Sequence, residues 1–316
     1  MERRTLLRGL AVGAVAAPAA TLLGTAAARA AGSYYVATAE QVSNRILVFD
    51  KSKAFSNANV HWSFAAGGGS WSNLSDVKFR ETSAQGWIAL MTASGGRVGI
   101  VNVTGKKHTG TGDLSWTAAP GGNPHAIERI PTNGSVVVAS SAGHLTVYAP
   151  SSVSRLGSLA KVQTVGLPGA HGVLWDPTTK LLWAIGKGVV KGYTVHGSHR
   201  STRLAYSGKH VNLGSDNLGH DLQPDYSNRN RMLCTATHGT YEISTAGGKV
   251  SVRKASSETR VKALCRHSSG ETVSVRADNK GARTWGSPTV RLSKSPDRTR
   301  SGAEFYKVRI WSARYE

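Results

Sequence analysis

From residue 33 onward, apolar and polar positions alternate with a period of two. The runs are short, rich in Val, Thr, Ile and Tyr, and separated by Gly, Asn, Ser and Pro. This pattern predicts β-strands joined by tight turns and leaves almost no helical periodicity. Five pairs of runs read as the two middle strands of successive sheets: 34–39 with 45–50, 87–93 with 97–103, 135–141 with 144–148, 181–185 with 189–195, and 232–237 with 240–244. An outer strand is expected after each, at 60–66, 114–119, 161–166, 204–208 and 249–254.

Innermost strands are expected to open at 76–80, 125–130, 171–176, 220–223 and 262–266, with 272–277 and 289–294 completing a last sheet. Two remnants then match. The run from Phe305 to Trp311 has no partners after it, and the pair at 34–50 has no inner strand before it. The expected fold is therefore an all-β propeller of six four-stranded blades, closed by the C-terminal strand entering the N-terminal blade. Closure removes the open sheet edges that invite aggregation. Seven blades would need a merged blade in the irregular stretch Asn279–Gly302.

Residues 1–31 stand apart. Arg3-Arg4, the apolar run Leu10–Leu23 and the small-residue pattern Ala28-Arg29-Ala30 read as a twin-arginine export signal. Residues 32–316 then form one domain, expected to be secreted, monomeric and without a membrane span. The chain has 39 Lys and Arg against 18 Asp and Glu, a formal charge of +21; without the leader, which holds four Arg and Glu2, it is +18. Such a balance points to an anionic partner, a polysaccharide or cell-wall polymer. No nucleic-acid partner is expected, because no RNA-recognition signature, zinc finger or helix-turn-helix is visible. Cys234 and Cys265 fall on strands of adjacent repeats and read equally as a disulfide or as two buried thiols.

The candidate chemistry lies in a phrase used three times. Gly122-Asn123-Pro124-His125-Ala126-Ile127, Pro168-Gly169-Ala170-His171-Gly172-Val173 and Asn217-Leu218-Gly219-His220-Asp221-Leu222 each place a His, any residue and an aliphatic after a Gly-containing approach. The histidines are 46 and 49 residues apart, close to the propeller period. Aligned inner strands put Ser75 or Asp76, His125, His171, His220, Lys262 and Tyr306 at one level around the channel mouth. Arg80, Arg129, Arg266, Asp76, Glu128, Asp221 and Gln223 are expected to face the channel more deeply.

This ring supports three functional readings. His125, His171 and His220 could ligate a divalent metal with an open position. The same histidines with Lys262 and Tyr306 could carry out metal-free acid–base chemistry. Or the ring only binds, with His and Tyr on sugar hydroxyls and a Lys or Arg on a carboxylate. The bland alternative has each His bonding a neighbouring loop around a water-filled channel. Of the remaining aromatics, most tryptophans read as inter-blade packing, with Trp71 and Trp285, which lie in loops, the best candidates for a sugar-stacking platform.

In the three His phrases the chain resembles an exported bacterial β-propeller family of unknown function. More loosely, a His-lined propeller mouth with a basic surface is similar to the propeller polysaccharide lyases, the oligogalacturonide and rhamnose–glucuronate types, which are usually seven-bladed. It is less like the gluconolactonase propellers, whose calcium site uses Glu, Asn and Asp. The second resemblance implies β-elimination on a uronate-containing glycan. In it, His125, His171 or His220 is the base and Tyr306 the acid. The carboxylate is held by Lys262, Arg129, Arg266 or a His-bound metal, with Arg80 and Asp76 as further substrate contacts.

Overall fold

The computed structural model describes residues 33–315, so the leader read at 1–31 lies outside the described residues. Its strands form six sheets, the blades of one propeller. Blade 1 holds Tyr35–Glu40, Arg45–Asp50 and Val60–Ala65, and its inner strand is Phe305–Ile310, the last strand of the chain. Blade 2 runs outward through Leu74–Thr82, Gly86–Ala93, Arg97–Asn102 and Leu114–Ala118. Blade 3 follows with Pro124–Arg129, Val136–Ser140, His144–Ala149 and Ala160–Gly166, and blade 4 with Gly172–Asp176, Leu181–Ile185, Val189–His196 and Arg203–Asn212. Blade 5 comprises Gly219–Pro224, Arg231–Ala236, Gly239–Ser244 and Ser251–Ser256; blade 6 comprises Val261–Arg266, Thr272–Arg276, Thr289–Leu292 and Arg298–Thr299.

Six blades and the predicted closure are therefore observed. The last strand pairs antiparallel with the first, Val36 opposite Ile310 and Thr38 opposite Val308. The stretch Asn279–Gly302 contains no seventh blade. It supplies instead the short outer strand of blade 6, whose two polar residues carry no alternation to read. Blade 1 also gains a fifth strand: His108–Gly110, from the loop of blade 2, runs parallel to Val60–Ala65. Among the described residues no helix is long and apolar enough to cross a membrane.

Middle strands such as Val136–Ser140 and Leu181–Ile185 are buried along their whole length, because each blade is covered by a neighbour on both faces. The core consequently lies in the seams between blades. Ile46, Trp62, Phe79 and Met91 fill the seam of blades 1 and 2, and Ile88, Ile127 and Val138 that of blades 2 and 3. Val137 and Trp175 join blades 3 and 4, Trp183 and Ile243 blades 4 and 5, and Val273 and Phe305 blades 6 and 1. Among the described residues the seam of blades 5 and 6 has no such cluster and is ionic. Arg266 of blade 6 bonds Asp225 at 2.6 Å and Glu242 of blade 5 at 2.8 Å.

Both cysteines are free and buried. Cys234 packs in the seam of blades 4 and 5 and Cys265 in that of blades 6 and 1, so two buried thiols is the reading that holds.

Candidate functional site

Five of the six inner strands contain a register shift near their first residues, and each shift skips one side chain. In blade 3, Pro124 pairs Ser140 and Ala126 pairs Ala139, so His125 has no partner. The same shift skips Ser75, His220, Lys262 and Tyr306. In blade 4, His171 just precedes the strand, its N–H donating to Ile185 O at 2.9 Å. A bulged residue is released from the pleat and can be re-aimed. Bulging therefore turns one side chain per blade toward the channel mouth and settles the blade 2 position. Ser75 is the equivalent residue; Asp76 belongs to the level beneath. Ser75 is spent on structure, donating to Pro124 O at 2.7 Å and sharing a hydrogen bond with Thr92.

The other five residues meet in one cavity of about 430 Å³ at the mouth. The imidazoles of His125 and His171 lie 4.3 Å apart between centroids, those of His171 and His220 6.1 Å, and His125 meets Tyr306 edge-on at 6.1 Å. Asn123 and Gly169 adopt left-handed backbone, φ 61° and 65°. Glycine and asparagine tolerate that region best, which explains the residue two places before His125 and before His171. The carbonyls of these two residues then accept Nδ1–H of the His two places on, at 3.0 Å for His125 and 2.9 Å for His171. That bond fixes the tautomer and leaves each Nε2 lone pair free. Lys262 Nζ stands 3.2 Å from Nε2 of His220.

Burial is the main cause of the shifts here. It holds His125 at about 4, His171 at about 3 and His220 at about 2, with the ammonium groups of Lys262 and Lys307 adding to the depression. All three rings are thus neutral at pH 7. Burial also lowers Lys262, brings Lys307 down to about 8, and raises the Tyr306 phenol well above its usual range. The rim is polar: Gln41, Asn73, Ser94 and Asn123, with Trp285 above. Trp285 donates from Nε1 to Gln41 at 2.8 Å, while Arg283 of the same loop bonds Asn73 at 3.0 Å. No carboxylate lines this cavity.

Beneath the mouth the channel is filled by charge. Arg309 grips Asp76 at 2.6 Å and Asp221 at 2.8 Å. Lys78 and Arg80 both face Glu128, and Lys307 donates to the carbonyls of His220 and Lys262. Lys78, Arg80, Lys307 and Arg309 thus share one buried layer with Asp76, Asp221 and Glu128, and burial lowers both Lys78 and Lys307. At the far end Arg80 lies under the Tyr315 ring at 4.1 Å and donates to Arg314 O.

The sequence-derived site divides accordingly. His125, His171, His220, Lys262 and Tyr306 come together as expected. Arg80, Arg129, Arg266 and Asp76, expected as substrate contacts, all stand outside the cavity lining. Asp76 is committed to Arg309, Arg80 to Glu128, and Arg266 to the seam of blades 5 and 6. Arg129 is buried beside the carboxylate of Glu128, which accepts its backbone N–H. A deep polar residue in a packed channel needs a partner, and the fold supplies one for Asp76, Arg80 and Arg266, while Nε of Arg129 is left without one. Trp285 reaches the mouth. Trp71 does not: it is buried against Phe64 in the seam of blades 1 and 2. His238 pairs with Asp216 at 3.0 Å, away from the lining. Gln41 and Asn73 were not legible, being turn residues without repeat spacing.

Among the described residues no group of three His, Cys, Asp or Glu is placed to hold a metal ion, and Nε2 of His220 faces the Lys262 ammonium.

Known proteins add the fold and a family. The model of a family of unknown function (DUF6528) matches residues 34–309. A solved structure, a functionally unknown protein from Desulfotomaculum acetoxidans, is similar with a TM-score of 0.55 at 10% identity, over 82% of this chain and 74% of that one. At that identity the likeness shows the fold alone. No curated protein matches the chain.

Proposed function

Since the chain belongs to DUF6528, a family of unknown function, kinship supplies no activity, and we propose from the site itself that the mouth binds a uronate unit of an acidic glycan and cleaves the chain by β-elimination. The observation that carries this reading is the cavity lining: a half-buried ammonium and three neutral imidazoles, with no carboxylate among the described residues that line it. The twin-arginine leader and the +18 charge read from the sequence support an encounter outside the cell, by a monomer, with a polysaccharide or cell-wall polymer.

In this mechanism Lys262 pairs with the uronate carboxylate, lowering the cost of charge that develops beside it. Nε2 of His125 or His171 removes the proton α to that carboxylate. The electron pair forms the ring double bond as the glycosidic carbon–oxygen bond breaks, and Tyr306 protonates the departing oxygen. His220 positions Lys262. Bound carboxylate also offsets the repulsion of Lys262 and Lys307, so the imidazoles become stronger bases once substrate is present. No step needs a metal.

A second reading, binding without cleavage, draws on the same depressed imidazoles, since a base tuned far below neutrality abstracts protons poorly. Incubation with a panel of uronate polymers separates the two. Ultraviolet absorbance from unsaturated ends supports elimination, retention without absorbance supports binding alone, and neither outcome on any polymer rejects the site assignment.

A further inference from the structure

We infer that a cavity on the opposite face of the ring, between blades 1 and 2, is a second binding site for a sugar unit of an anionic glycan chain. The inference rests on the reading that the mouth takes an acidic glycan and adds a separate place where the same polymer is held. The cavity measures about 550 Å³ and is lined by Tyr35, His61, Trp62 and Trp311 together with Lys53 and Lys107. Strand register fixes its face. Tyr35 neighbours the pair Val36–Ile310, whereas Tyr306 of the mouth lies beside Phe305, which pairs Glu40 at the other end of the same strand. Four residues of extended chain separate the two levels, about 13 Å.

Three features point to a sugar with an acid group. The first is an aromatic wall. Tyr35 stacks on the exposed His61 at 4.0 Å and 16°, and His61 meets Trp311 edge-on at 5.8 Å. Rings with an apolar face and polar edge suit a pyranose, which has both. The second is an unpaired donor. Trp62 is 1% exposed, and its Nε1 has no hydrogen-bond partner. A buried donor left unmade costs about 1–3 kcal/mol, and this one belongs to a residue of the cavity wall. The third is charge. Lys53 and Lys107 are exposed and form no ion pair among the described residues, while Lys106 beside them is tied to Asp113 at 3.1 Å. Asp50 is the single acid in the lining. One carboxylate cannot balance both lysines.

The test is calorimetric titration of the whole protein with oligogalacturonate, using a methyl-esterified oligomer as the uncharged control. Two sites are expected in the wild type. Lys53→Glu with Lys107→Glu should weaken one of them at least tenfold, leaving the other and any unsaturated product unchanged. Lys262→Ala should do the reverse. His61→Ala, at an exposed position, should weaken the second site without disturbing the fold. A single site abolished by Lys262→Ala and untouched by the lysine pair overturns this inference alone. A single site abolished by the lysine pair and untouched by Lys262→Ala overturns the mouth reading and retains this one. Equal affinity for the methyl-esterified oligomer, or binding of single-stranded DNA in place of the glycan, overturns the assignment of ligand class.

Discussion

Lys262 Nζ stands 3.2 Å from Nε2 of His220, an ammonium held by an imidazole across the seam of blades 6 and 5. It is the only cation in the mouth lining, so replacing it removes the charge that an acidic ligand would meet. Lys262→Met is expected to weaken binding of oligogalacturonate by roughly tenfold to a hundredfold, because a hydrogen bond to a charged group contributes about 1.5–3 kcal/mol. Thermal unfolding should move little, since Lys262 has no carboxylate partner to strand. Titration calorimetry alongside a melting curve checks both halves; unchanged affinity would remove Lys262 from the site.

The histidines make a pH signature. Their folded values, about 4, 3 and 2, lie below the 6.5 of an unfolded histidine. Between those limits the unfolded chain binds more protons, so stability rises with pH across this window. The contribution is fully present above 6.5 and is lost as pH falls toward the folded values. Denaturant unfolding at pH 7 and pH 5 should show a loss that shrinks in a His125→Asn, His171→Asn double variant. In the native protein, ring proton resonances of His125 and His171 should stay flat from pH 8 to pH 5. A midpoint near 6.5 for either ring would contradict the burial described above.

How much of this was legible follows from which residues repeat. The His phrase recurs because its copies meet overlapping demands: a left-handed residue whose carbonyl takes Nδ1 for His125 and His171, and a bulge at the mouth for His125 and His220. The blades were legible because seams cover both faces of the middle strands, which leaves short apolar runs such as Val136–Ser140 and Leu181–Ile185 between turn residues. Asp76 was ambiguous with Ser75 because a bulge breaks the period-two count at that residue. Arg80 and Arg266 were misplaced for a different reason. Sequence shows that a charge points inward but not whether a carboxylate from another blade is waiting for it. The outer strand Arg298–Thr299 was lost because two polar residues have no pattern.

Arg309 bridges Asp76 and Asp221, all three buried, and this clamp ties blades 1, 2 and 5 at the axis. Truncation strands two carboxylates without their main partner. Arg309→Met is therefore expected to cost about 3–5 kcal/mol, the usual penalty for breaking a buried pair from one side. Adding Asp76→Asn should recover part of the loss, because it removes one uncompensated charge. Urea unfolding of the single and double variants measures this; full additivity of two independent losses would show that the clamp is not one unit.

Cys234 and Cys265 are buried thiols in different seams, and burial raises both, Cys265 to about 11. A thiol reacts as its thiolate. Neither should be alkylated by iodoacetamide in the native protein at pH 7.5, and both should be after unfolding without reductant. Mass spectrometry counts the adducts; a need for reductant would reveal a disulfide.

The seam of blades 5 and 6 should open first. Elsewhere neighbouring blades share apolar clusters, whereas this seam depends on Arg266 between Asp225 and Glu242, with Arg231 and Arg253 holding the same two acids. Salt screens partly exposed pairs, and local openings follow the distribution of apolar contact. Hydrogen exchange is thus expected to be faster in Thr272–Arg276 of blade 6 than in Val136–Ser140 of blade 3, and faster still at 1 M salt. Arg266→Met should widen the difference. It leaves Asp225, which is fully buried, facing Arg231 alone. Exchange rates that are equal in the two blades, or indifferent to salt, would show that the ionic seam closes the ring as firmly as the apolar ones.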